Sequence, residues 1–206
     1  MNFAEYNVKD ANLEEVLLAL KSLDTVEAVA LGGSRSTGAS DENSDYDIYV
    51  YCVEIPTAET RENLLGKYCS IAEFGNHYWE SEDNTVMNNG VPVDIIYREV
   101  DRFGRYIDTV IKGGKAFNGY TTAFWHNIKN SKVLFDKTGT FTKFRDMAQI
   151  DFPENLRSAI IKNNRNLMNG KLPSYDRQIK KAQERGDIVS VNHLSLIHIS
   201  EPTRLG

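Results

Sequence analysis

The stretch Leu31-Gly32-Gly33-Ser34-Arg35-Ser36-Thr37-Gly38, followed by Ser44-Asp45-Tyr46-Asp47-Ile48-Tyr49-Val50, constrains this chain more than any other. An apolar run from Val26 to Leu31 stops at two glycines and a serine, and two aspartates separated by one residue then open an alternating segment rich in β-branched and aromatic side chains. Residues i and i+2 of a strand point to the same face. Asp45 and Asp47 are therefore expected side by side, with Tyr46 and Ile48 on the other face. Two carboxylates held together repel unless a cation sits between them. An all-oxygen set of this kind suits Mg²⁺, which takes one or two carboxylates and completes its shell with substrate phosphates. The Gly-Gly-Ser turn supplies the complementary half: glycines let backbone N–H groups approach a phosphate closely, and the N-terminus of a following helix favours negative charge.

This combination resembles the nucleotidyltransferase superfamily that includes DNA polymerase beta and the kanamycin nucleotidyltransferases. The signature is an apolar residue, Gly, then Gly or Ser, a gap, Asp-x-Asp or Asp-x-Glu in a strand, and a third carboxylate on a later strand. Gly33-Ser34, the gap Arg35–Ser44 and Asp45-Tyr46-Asp47 match it, and Asp94 in Val91-Pro92-Val93-Asp94-Ile95-Ile96-Tyr97 matches the third position. The resemblance implies an α/β (α+β) fold, a small mixed-sheet polymerase-beta-like core followed by a helical region. It also implies transfer of a nucleoside monophosphate from a nucleoside triphosphate, ATP being the default, to an acceptor hydroxyl, with release of pyrophosphate. By the same resemblance Asp45 and Asp47 hold the metals of a two-Mg²⁺ site, and Asp94 holds the acceptor-side metal or serves as base. Gly33 and Ser34 hold the β and γ phosphates, and Arg35 either neutralises the departing pyrophosphate or is an exposed loop charge. The alternative is a non-catalytic nucleotide-binding or regulatory, antitoxin-type module on the same scaffold. Retention of all three carboxylates argues against it, because a scaffold needs none of them.

Composition narrows the partners. A net charge of −5 over 206 residues disfavours a polyanion, so a small-molecule or protein acceptor is expected ahead of a nucleic acid. Cys52 and Cys69 form no metal or disulfide pattern and read as reduced thiols. The N-terminus lacks the basic and apolar regions of a signal peptide, and no apolar run is long enough to span a membrane. A soluble, cytoplasmic protein is expected.

Along the chain, Asn12 is expected to cap a helix reaching about Leu23, followed by strand Val26–Leu31, a short helix at the glycine turn and a mobile polar loop, Arg35–Asn43. Strand Tyr46–Val53, helix Ala58–Tyr68 and strands Ile71–Glu80 and Pro92–Tyr97 come next, the last two joined by a polar segment, Ser81–Gly90. His77, Tyr78 and Trp79 read first as core aromatics beside a solvated acidic turn containing Glu80, Glu82 and Asp83, and second as an aromatic wall for a base or an acidic pocket for a cationic acceptor. The expected division is a catalytic domain over 1–100, an incomplete helical domain over 101–193, and a non-native tail over 194–206. Ser195–Arg204 in that tail resembles the translation of a sequencing-adapter read-through.

Overall fold

The computed structural model describes residues 10–41, 44–117, 121–170 and 174–203. Glu42 and Asn43 of the expected mobile loop lie outside the described residues. Chain contacts group into two compact units, one of Met1–Ile107 with Ala123–Ile150 and one of Asp108–Thr122 with Asp151–Gly206.

The first unit is built on a six-stranded mixed sheet. Its strands are β1 (Val26–Leu31), β2 (Tyr46–Cys52), β3 (Cys69–Asn76), β4 (Ser81–Met87), β5 (Pro92–Glu99) and β6 (Lys132–Asp136), in the spatial order β3-β4-β5-β2-β1-β6. Only β2 and β5 run parallel, and their register sets Asp47 against Asp94. Helix α1 (Ala11–Lys21) lays Leu13, Val16, Leu17 and Leu20 on one sheet face, against Ile48, Val50, Val93 and Ile95. Leu65 of α3 (Ala58–Leu65) joins that core. The cap of α1 is Asp10 rather than Asn12: its carboxylate accepts from the N–H groups of Asn12 (3.0 Å) and Leu13 (3.3 Å). Two residues earlier, the carboxylate serves the free N–H groups as an amide would, and its charge also suits the positive end of the helix dipole.

The opposite face carries Tyr49 and Tyr51, whose register partners on β1 are the small Ala30 and Ala28. The room left by those alanines is filled by rings. Tyr51 meets Phe103 of α4 (Val100–Ile111) edge-on at 5.3 Å and Phe141 of α6 (Thr140–Ala148) at 5.3 Å. Helix α5 (Ala123–Asn130) adds Phe124, 5.7 Å from Phe103. Strand β6 and helices α5 and α6 are thus part of the sheet unit, although they lie beyond residue 100 in sequence.

One expectation is overturned here. The segment expected as a polar connection, Ser81–Gly90, contains the full strand β4, and β3 ends at Asn76 instead of reaching Glu80. The polar side chains of β4 find partners within the protein: Asp83 pairs with Arg61 at 2.8 Å, and Thr85 Oγ1 donates to the Val93 carbonyl at 2.8 Å. The apolar alternation that marks a strand was therefore absent.

In the second unit α7 (Glu154–Arg165) follows Pro153, and α8 (Tyr175–Glu184) stops before Gly186, whose φ is +69°. Asp187 then accepts from the Ser190 N–H at 3.0 Å as α9 (Ile188–Thr203) opens. Among the described residues no helix is long and apolar enough to cross a membrane.

Candidate active site

Strand β2 begins at Tyr46, so Asp45 stands just before it, exposed, while Asp47 is half-buried within it. Asp94 is the direct register partner of Asp47 across the parallel β2–β5 pair. Burial pushes the Asp47 carboxyl above its usual range, and the charges of Asp45 and Asp94 push it further. The three carboxylates thus share one electrostatic neighbourhood. The glycine turn reaches the same spot. Gly33 has a φ of +59°, and a Cβ built on it would lie 1.7 Å from Asp47 Oδ2. Directly behind it, the short helix α2 (Gly33–Thr37) carries Ser34, half-buried.

Arg35 is committed to the backbone. Its Nε donates to the carbonyls of Ser44 (3.0 Å) and Asp45 (2.9 Å), its Nη2 also donates to Ser44 O, and its guanidinium lies over the Tyr46 ring. In these contacts it ties α2 to the residue that precedes β2. A second cation, which local sequence did not flag, reaches the turn: Lys132 Nζ of β6 donates to the Arg35 carbonyl at 3.2 Å.

Among the described residues no three histidine, cysteine, aspartate or glutamate side chains stand close enough to hold a metal ion between them. The donor chemistry nevertheless suits magnesium, which needs only one or two protein carboxylates when phosphates complete its shell. The crowding that raises Asp47 is the condition a divalent cation relieves.

Sequence reasoning passed over residues beside this centre and others farther along β5. Asn84 Nδ2 donates to Asp94 Oδ1 at 2.9 Å, and Asn76 Nδ2 donates to Asn84 Oδ1 at 2.7 Å. Gly32, the first glycine of the turn, is held by packing, since a Cβ on it would meet Tyr49 Cε2 at 2.2 Å. Arg98, buried on β5, makes a two-pronged pair with Glu80 (2.8 Å each) and donates to Tyr51 Oη at 3.1 Å. The Asn89-Gly90 turn before Pro92 was the available signal for Asn84, because that pair commonly closes a hairpin and so implies a strand on its N-terminal side. The expected acidic turn and its aromatics are also redistributed. Tyr78 and Trp79 are 74% and 80% exposed rather than core, while Asp83 is fully buried against Arg61. With β3 already ended at Asn76, nothing folds those rings inward. A cleft of about 720 Å³ opens beside Trp79, Arg98 and Tyr106. It lies toward the end of β5 remote from Asp94, roughly 13 Å along the strand at ~3.3 Å per residue, and is separate from the carboxylates.

No curated relative matches the sequence. Among solved structures, the chain is similar to a toxin–antitoxin structure with AMP-PNP at 18% identity, covering 73% of this chain and 96% of that one with a TM-score of 0.42. It is also similar to the Cid1 poly(U) polymerase at 14% identity, covering 81% of this chain and 42% of that one with a TM-score of 0.38. Cid1 in complex with the UTP analogue UMPNPP matches at 13% identity, over 59% and 50% of the respective chains with a TM-score of 0.33. The model of the nucleotidyltransferase domain matches residues 13–117, from the first turns of α1 past the end of α4 and just over half of the sequence, and the chain belongs to that family.

Proposed function

We propose that this protein transfers a nucleoside monophosphate from a nucleoside triphosphate, with ATP as the default donor, to a hydroxyl of a small-molecule or protein acceptor, releasing pyrophosphate. The observation that carries the reading is the parallel pairing of Asp47 with Asp94 beside the Gly33–Ser34 turn, where like charge is crowded at a backbone built for close approach. Asp45 and Asp47 would hold Mg²⁺ against the triphosphate, and Asp94 would hold it on the acceptor side. When bound, the metal offsets the negative charge that develops on the attacking and leaving oxygens. The protein's own contribution is placement. Gly33 and Ser34 offer backbone N–H groups and a hydroxyl to the β and γ phosphates. Arg35 fixes Asp45 through its carbonyl, and Lys132 brings positive charge to the same turn. Asp94 accepts a hydrogen bond from the acceptor hydroxyl and so aims its oxygen at the α-phosphorus. The net charge of −5 favours an acceptor that is not a polyanion.

The test is titration of each nucleoside triphosphate with and without Mg²⁺, alongside transfer of label from α-labelled triphosphate. Asp45→Asn/Asp47→Asn is expected to abolish both magnesium-dependent binding and transfer. Asp47→Asn alone, in chelator, is expected to melt above the wild type, because it removes a charge from a crowded, partly buried position. Binding that ignores Mg²⁺ and survives the double substitution, without label transfer, would instead identify a nucleotide-binding module.

A further inference from the structure

A row of side chains crosses four strands on the active face: Glu73 pairs with Asn84, Asn84 with Asp94, and Asp94 with Asp47. Three residues after Glu73, strict alternation would send Asn76 to the opposite face. It does not go there. The β3–β4 register shifts between Glu73 and Asn76, and Gly75 inside the shift has a φ of +83°. This bulge turns Asn76 back to the active face, where it pairs with Glu82 and reaches Asn84. Bulges beside active sites commonly re-aim one side chain in this way.

The bulge is anchored from the other face. The Gly75 N–H donates to Asp83 Oδ1 at 2.9 Å, and the fully buried Asp83 is held by Arg61 at 2.8 Å. A Cβ on Gly75 would lie 2.9 Å from Ala58 Cβ, at a φ that L side chains rarely adopt. Only glycine fits.

An asparagine amide has an accepting and a donating end. Because Asn76 donates to Asn84 Oδ1, the NH₂ of Asn84 is left facing Asp94. Asp94 Oδ1 is thereby occupied and the carboxylate plane fixed, leaving Oδ2 for a cation or an acceptor hydroxyl. We propose that Asn84 is a positioning residue for Asp94, locked in its donating orientation by the Gly75 bulge through Asn76. The proposal rests on the reading of Asp94 as the acceptor-side carboxylate.

The test compares Asn84→Ala, Asn76→Ala, their double variant, Gly75→Ala and Asp94→Ala. Transfer from ATP, ATP affinity, Mn²⁺ affinity in the presence of ATP (by electron paramagnetic resonance) and melting temperature are read for each. Loss of a hydrogen bond to a charged acceptor predicts that Asn84→Ala lowers kcat about 10- to 100-fold with ATP affinity within about twofold. Asn76→Ala, which removes the neutral bond to Asn84 and a longer one to Glu73 (3.4 Å), is expected to lose about 3- to 10-fold, and the double variant to fall no further than Asn84→Ala. Gly75→Ala is expected to lower both kcat and melting temperature. Wild-type kcat and Mn²⁺ affinity in Asn84→Ala, with Asp94→Ala inactive, would overturn the role of Asn84 and leave the site reading standing. Additive losses in the double variant would overturn the lock. Wild-type Mn²⁺ affinity and turnover in Asp94→Ala would overturn the reading of Asp94, and the inference with it.

Discussion

At Gly33 it is the missing side chain that matters. A methyl group there would stand 1.7 Å from Asp47 Oδ2, so any L residue must push the carboxylate aside or move the turn. Gly38 makes the control, because its φ is +80° but nothing lies within 4 Å of its Cβ position. Both substitutions carry the left-handed backbone cost of about 1–2 kcal/mol, yet only the first collides with a proposed metal ligand. Gly33→Ala is expected to lose label transfer about 100-fold or more, the range seen when a group at the reacting centre is misplaced. Gly38→Ala is expected to lower only the melting temperature. Equal transfer rates in the two variants would show that Asp47 does not act where it stands. The motif Gly-Ser is thus less about flexibility than about the space the neighbouring carboxylate already fills.

At the scale of elements, α4 and α5 meet the sheet around one buried cation. The Arg98 guanidinium lies over Tyr49 (4.2 Å), Phe103 (4.8 Å) and Phe124 (4.7 Å) while Glu80 neutralises it. Removing one partner of a buried pair strands the other, at a cost of about 3–5 kcal/mol, whereas replacing both with apolar groups often recovers the loss. Arg98→Met is expected to unfold at markedly lower urea, and Arg98→Met/Glu80→Met to regain part of that midpoint. A double variant as weak as the single would show that the rings, not the ion pair, need the guanidinium. The strands that carry the proposed site were legible for a plain reason. β1, β2 and β5 are dense in Val, Ile, Ala and Tyr, and Asp47 and Asp94 interrupt the last two where a carboxylate needs a purpose. β4 was not legible, because Asp83 pairs with Arg61 and Asn84 with Asp94 where an apolar strand would pack into an oily core. Asn84 vanished with it. β6 joins the sheet from more than 100 residues after β1, and no local pattern can announce a pairing of that range.

For the first unit as a whole, the sheet divides labour between its faces. One is sealed by α1 and α3 over aliphatic side chains, and the other carries the carboxylates and the aromatic layer. Cys52 belongs to the sealed face, with no exposure, and burial pushes its thiol from an ordinary 9.0 up to about 12, with Arg61 pulling weakly the other way. The sign of the consequence is fixed. Between those two values the folded protein keeps the proton while the unfolded chain sheds it, so the native state binds more protons and stability falls as pH rises. The full slope is about 1.4 kcal/mol per pH unit for one group. Tyr49, also pushed up to about 12 by burial, starts from 10.0 and adds its own loss only above that pH. Burial raises the Cys69 thiol from 9.0 as well, so between about pH 8.5 and 10 it is the difference between the wild type and Cys52→Ala that reports Cys52. Urea unfolding at steps across it is expected to show wild-type stability dropping by about 1 kcal/mol more than that of Cys52→Ala, and Cys52 is expected to resist alkylation until the protein unfolds. Parallel pH profiles in the two proteins would mean that the thiol ionises in place and the face is not sealed. Such a result would reach beyond one cysteine, because the same layer of side chains holds β2 and β5 in the register that pairs Asp47 with Asp94.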